Sequence, residues 1–185
     1  MDIAAVPAWL EASTVATAIR NSLYLFPLIE SFHVLGVSIV VGTVLVIDLR
    51  LLGLASSRRP FTVIASDVFR WTWMAFALAA LTGALMFATN ATSYYVNTAF
   101  RTKMVMLVLA GLNMAVFEMT ARRSVGDWDR DTAAPAAGRR VAILSLAIWI
   151  VVVFLGRWVG FTLSTTAAPA NEEINLEELE NLIPK

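Results

Sequence analysis

The chain has 185 residues, of which 58% are hydrophobic and only 15% charged, with acidic and basic side chains in equal number. Soluble domains carry roughly 25% charged residues, so this balance excludes an ordinary soluble domain, and a net charge of zero gives no basis for nucleic acid as a partner. Cysteine is absent, which excludes disulfides, thiolate metal sites and cysteine-ligated iron–sulfur clusters.

Asp2 places an acid where a signal peptide carries positive charge, so a cleaved leader is not expected. Residues 7–21 are weakly amphipathic, with Trp9, Leu10, Ala16 and Ile19 toward one side. They predict one helix lying on the membrane surface, with Pro7 in its first turn. This N-terminal unit covers residues 1–22.

Four apolar segments follow, at residues 23–52, 69–89, 102–120 and 141–161. Each is long enough as a helix to cross roughly 30 Å of hydrocarbon. No alternating strand pattern competes, and backbone groups in lipid must be paired internally. The expected fold is therefore all-α: a four-helix transmembrane bundle over residues 23–162 with an N-terminal interfacial amphipathic helix. Trp71, Trp73, Tyr94, Tyr95 and Trp158 fall near the ends of the spans, as an aromatic belt should.

The loops after the first and third spans carry Arg50, Arg58, Arg59, Arg70, Arg122, Arg123, Arg130, Arg139 and Arg140. The other side holds Arg20, Arg101, Lys103 and Lys185, with Arg157 close to it. Nine cations against five predict that the arginine-rich loops face the cytoplasm and that both termini are extracytoplasmic. A multi-pass protein of a bacterial inner membrane is the expectation. Asp127, Asp129 and Asp131 alternate with other residues in "GDWDRDT" and predict a solvated face, because the glycine and distant glutamate of a calcium loop are missing. Residues 163–185 form an acidic tail with five glutamates. A solvated, partly disordered tail is the expectation; the alternative, from the Asn175 and Glu178 helix-start signal and a short Leu176, Leu179, Ile183 stripe, is a small amphipathic helix that docks on a partner.

His33 is the only histidine, and it follows Glu30 by three residues on one face of the first span. Counted from the outer boundaries, Glu30 lies roughly 7 Å deep, His33 roughly 12 Å and Arg157 roughly 6 Å. Asn113 and Thr82 are expected near the depth of His33, with Lys103 and Arg101 at the mouth of the third span. Charges inside a bilayer are costly and usually pair. A structural ion pair between Glu30 and Arg157 is therefore expected to join the first span to the fourth, the alternative being that Arg157 snorkels to the surface.

A lone buried histidine most often hydrogen-bonds across helices, here to Asn113 or Thr82. The functional alternative is an axial ligand to haem b, with His33 on the metal and Arg157, Lys103 and Arg101 near the propionates. Met86 and Met106 are candidate second ligands, as is His33 of a second protomer. Glu30-x-x-His33 matches half of a di-iron motif, but the only other acid expected inside a span is Glu118, near the inner end. Copper held by His33 with methionines is the weaker metal reading, since the methionines do not cluster. Ala75, Ala79 and Gly83 form one small-residue ridge and Gly156 with Gly160 another, which predicts close helix packing. No nucleophilic triad, phosphate loop or nucleotide fingerprint is present to indicate an enzyme.

The segments "YLFPLIESFHVLGVSIVVGTVLVIDLRLLG", "NTAFRTKMVMLVLAGLN" and "FLGRWVGF" resemble a family of uncharacterised bacterial four-helix membrane proteins, known only as a domain of unknown function. More distantly they are similar to copper-resistance D proteins and cytochrome b561-like bundles. The resemblance implies that the histidine of the first span, the asparagine of the third and the Gly-Arg of the fourth correspond to His33, Asn113, and Gly156 with Arg157. Through the distant relatives it implies haem or copper handling, although membrane b-type cytochromes present paired histidines and this chain has one.

Two functions follow as expectations. One is an integral membrane subunit that binds haem b through His33 and takes part in electron transport. The other is a cofactor-free anchor or accessory subunit that recruits a partner through its outer face and tail. Either would work in the lipid bilayer as a homo-oligomer or as a subunit of a membrane complex.

Overall fold

The structure, a computed structural model, describes residues 5–56 and 58–167. The expected tail stripe and its helix-start signal lie outside the described residues. Among the described residues the chain is helical without strands: α1 Ala5–Glu11, α2 Thr14–Asn21, α3 Leu25–Leu51, α4 Phe61–Thr89, α5 Ala91–Val96, α6 Thr98–Met119, a 3-10 turn Ala121–Ser124, α7 Val125–Trp128 and α8 Ala136–Ala167. α3, α4, α6 and α8 are long and apolar enough to cross a membrane. Their outward faces stay apolar, with Leu81 62%, Val108 63% and Ile150 70% exposed. Greasy surface on that scale supports a membrane protein, because water would penalise it.

The N-terminal surface element is two helices, not one. Ser13 takes an extended conformation and its hydroxyl accepts from the Ala16 amide at 3.3 Å. That capping bond starts α2 and breaks the single helix expected over residues 7–21. Both short helices are fastened to the bundle. Arg20 donates to the carbonyls of Thr89 at 2.8 Å and Glu11 at 2.7 Å, so one guanidinium ties α2 to α1 and to the end of α4.

α3 stops because the chain turns left-handed at Gly53, φ 75°. The Gly53 amide donates to Arg50 and the Leu54 amide to Leu49, the paired bonds of a Schellman cap. A Cβ at Gly53 would also sit 2.8 Å from the Thr132 carbonyl, so glycine is required here for conformation and for space.

α4 begins at Phe61, well before the apolar segment expected from residue 69. Its first turn is capped from across the fold. The Asp129 carboxylate accepts from the Thr62 amide at 2.8 Å and the Thr62 hydroxyl at 3.1 Å, and the Asp129 carbonyl accepts from Phe61 at 2.9 Å. The "GDWDRDT" loop is thus a structural brace and not merely a solvated face. Beside it Phe61, Phe117 and Trp128 pack ring against ring, and Trp128 donates to the Ala121 carbonyl at 3.0 Å. These rings join Ile47, Leu51, Ile64 and Ala142 in a core that plugs the arginine-rich end.

α3 packs along α4, α6 packs along α8, and the two pairs meet chiefly through α3 against α8. Gly36 permits the closest approach in the first pair, since a Cβ there would lie 3.1 Å from Ala75 O and Ala79 N. In the second pair, Asn97 caps α6 by accepting from Phe100 at 2.9 Å while its amide donates to Thr162 of α8 at 2.9 Å.

Candidate functional site

His33 sits in the third turn of α3, roughly 12 Å along the helix from Leu25. It is half-buried and turned across the helix pair toward α4. Its Nδ1 lies 2.9 Å from the Ala79 carbonyl and 3.1 Å from Thr82 Oγ1. A carbonyl can only accept, and the Thr82 hydroxyl already donates to Leu78 at 2.7 Å. The proton therefore belongs on Nδ1, and the lone pair is left on Nε2. The small-residue ridge makes this possible: a Cβ on Gly83 would meet Cε1 of the ring at 2.9 Å.

Lys103, in the second turn of α6, points inward to Gly156 of α8, where a Cβ would be 3.6 Å from its Nζ. Glu30, on the same helix as His33 but exposed, lies near enough to act on Tyr94 of α5. Burial first, and then the Glu30 charge, push the Tyr94 phenol above its ordinary value. Tyr94 packs on Phe100 at 5.2 Å, and Phe100 stacks on Phe87 at 5.4 Å, so an aromatic group from α4, α5 and α6 flanks this end of the bundle. The half of the bundle that carries α5 thus holds an imidazole with its lone pair on Nε2, a half-buried ammonium, an exposed carboxylate and a phenol.

Other expected members are placed differently. The ion pair between Glu30 and Arg157 is not formed. Among the described residues the single ion pair joins Arg122 to Glu118, while Arg157 is exposed with its guanidinium 5.6 Å above the Phe161 ring. An arginine near a helix end can run along an aromatic face to the interface, which costs less than burial. Asn113 is buried, but it donates to the Val141 carbonyl at 3.1 Å near the start of α8. It therefore lies toward the arginine-rich end and does not join His33 as expected; α3 and α6 run the same way, and Asn113 is much farther along its helix. Met86 is one turn beyond Thr82 on α4, and Arg101 is exposed in the first turn of α6.

Two residues were missed from the sequence. Asp48 is 4% exposed with Oδ2 lacking a hydrogen-bond partner among the described residues and Ser145 of α8 as its polar neighbour. It is the deeply buried acid, whereas Glu118 lies at the surface with Arg122. Arg50 is fully buried, donating to the carbonyls of Arg59, Asp129, Asp131 and Thr132.

No group of three or more His, Asp or Glu side chains among the described residues could hold a metal ion. These side chains alone therefore do not form a site for a bare ion held by such ligands among the described residues. A haem, which brings four nitrogens of its own, would ask the chain only for an axial ligand and for cations near its carboxylates. His33 Nε2 and Lys103 are of those kinds.

Neither a curated protein nor a solved structure matches the chain. A family of unknown function, DUF6644, matches residues 9–162, which takes in α2 to α6 and nearly all of the described part of α8. The chain belongs to that family.

Proposed function

We propose that this protein is an integral membrane subunit that binds haem b beside His33 at its α5 end and passes electrons through it. His33 Nε2 would be the axial ligand, and Lys103 would face a propionate. The single observation that carries this reading is the Nδ1 hydrogen bond to the Ala79 carbonyl. Histidines that ligate metals commonly donate the other ring N–H to a carbonyl, which fixes the tautomer and raises the basicity of the ligating nitrogen. The His33 side is read as extracytoplasmic in a bacterial inner membrane, because the exposed arginines gather at the other end.

A second reading, a cofactor-free anchor, is favoured by the same ring's other use. Both Nδ1 contacts cross from α3 to α4, so His33 already works as a clamp between helices. The visible spectrum of the purified protein separates the two. Haem binding gives a Soret band that disappears in His33→Ala while the protein stays in the membrane fraction. A colourless protein after expression with haem precursor supplied overturns it and leaves the anchor.

A further inference from the structure

On the face of the bundle between α6 and α8 runs a groove of about 630 Å³ that does not include His33. Leu109, Leu112 and Val116 form one wall and Leu144 and Ile148 the other, with Arg140 at the arginine-rich end. Leu112 and Leu144 are 58% and 52% exposed, so the groove is open along the apolar surface. Arg140 is exposed and has no ion-pair partner among the described residues. The acid near that end of α6, Glu118, is already engaged by Arg122.

An apolar trough ending in an uncompensated guanidinium has the charge and polarity pattern of an acyl chain that ends in a phosphate. Guanidinium recognises phosphate through paired N–H donors, and basic residues between transmembrane helices are a recurring way to select anionic head groups. We infer that this groove is a binding site for one anionic phospholipid, with an acyl chain along α6 and α8 and the phosphate at Arg140. A zwitterionic lipid could fill the walls equally well. Selection for net negative charge therefore rests on Arg140.

The test uses the full chain in detergent, exposed to equal amounts of phosphatidylglycerol and phosphatidylcholine with matched acyl chains, with retained lipid counted by native mass spectrometry. The wild type should favour phosphatidylglycerol, and Arg140→Gln should cut that preference by about fivefold. Arg139→Gln is the control, since Arg139 is exposed near the same end but does not line the groove. Leu144→Trp narrows the trough without changing charge and should lower retention of both lipids. Equal retention of the two lipids by the wild type overturns the site. So does an Arg139→Gln loss as large as that of Arg140→Gln, which means diffuse surface attraction. Displacement of the lipid by inorganic phosphate alone also overturns it, because the acyl chain would then contribute nothing.

Discussion

Arg50 and Asp129 meet through the backbone and not through their charges. The guanidinium donates to the Asp129 carbonyl at 3.1 Å, while the Asp129 carboxylate turns away to cap Thr62. A fully buried cation is thereby held by carbonyl dipoles from two loops, the one after α3 and the one before α8. The forked, planar donor set is what allows one side chain to reach so many acceptors.

Arg50→Lys keeps the charge but loses the fork, and so leaves buried carbonyls without donors. The expected cost is about 3 kcal/mol or more. Arg50→Met removes the charge as well and should cost roughly 3–5 kcal/mol. Thermal unfolding in detergent measures both. A lysine variant as stable as the parent would mean that these bonds contribute little.

The four long helices could be read from the sequence because lipid imposes an uninterrupted apolar run, and nothing tertiary is needed to see one. Arg50 shows where that legibility ended. It lies at the end of a span and counts by position as a loop cation, yet its partners are carbonyls up to 82 residues away. Backbone acceptors leave no mark in composition or spacing. Asp48 was hidden in the same way, since a residue near a helix end is assumed wet until packing shows otherwise. The site was partly legible: Thr82 was expected at the depth of His33 and contacts it, whereas spacing gave Gly83 only as part of a packing ridge and not as the residue under the ring. Asn113 failed because depth has to be counted from each helix's own start, and α6 begins at Thr98. The break after α1 failed for a local reason, a serine cap competing with a weak amphipathic pattern.

Gly83 gives a direct probe of the His33 ring. A methyl there would lie 2.9 Å from Cε1, inside contact distance, and two hydrogen bonds hold the ring in place. Gly83→Ala should therefore displace the imidazole and break the bond to Ala79, despite the better helix propensity of alanine. Overpacking of this kind costs roughly 1–3 kcal/mol. Gly111→Ala is the comparison, because a Cβ there meets nothing within 4 Å. Equal unfolding temperatures for the two variants would show that the ring moves freely. Under the haem reading, Gly83→Ala also shifts or weakens the Soret band and Gly111→Ala does not.

Glu11 sets a pH limit on the attachment of the N-terminal helices. Its carboxylate accepts from the Thr92 hydroxyl at 2.6 Å and the Thr92 amide at 3.1 Å, joining α1 to α5. The bond from the Thr92 hydroxyl, then that from its amide, hold the carboxyl below its ordinary 4.5, and Arg20 adds a smaller push the same way. The folded value is thus the depressed one. Between the unfolded and folded values the detached state binds more protons, so the contribution is complete above about 4.5 and is lost as pH falls through the folded value. Acidification should release α1 from α5, raising hydrogen exchange at the Thr92 amide beyond its intrinsic pH dependence. Glu11→Gln removes the titrating group, and its Thr92 exchange, corrected in the same way, should not step with pH. If Thr92 protection in the parent stays flat from neutral pH to about pH 3, the Glu11 carboxylate does not hold these helices together.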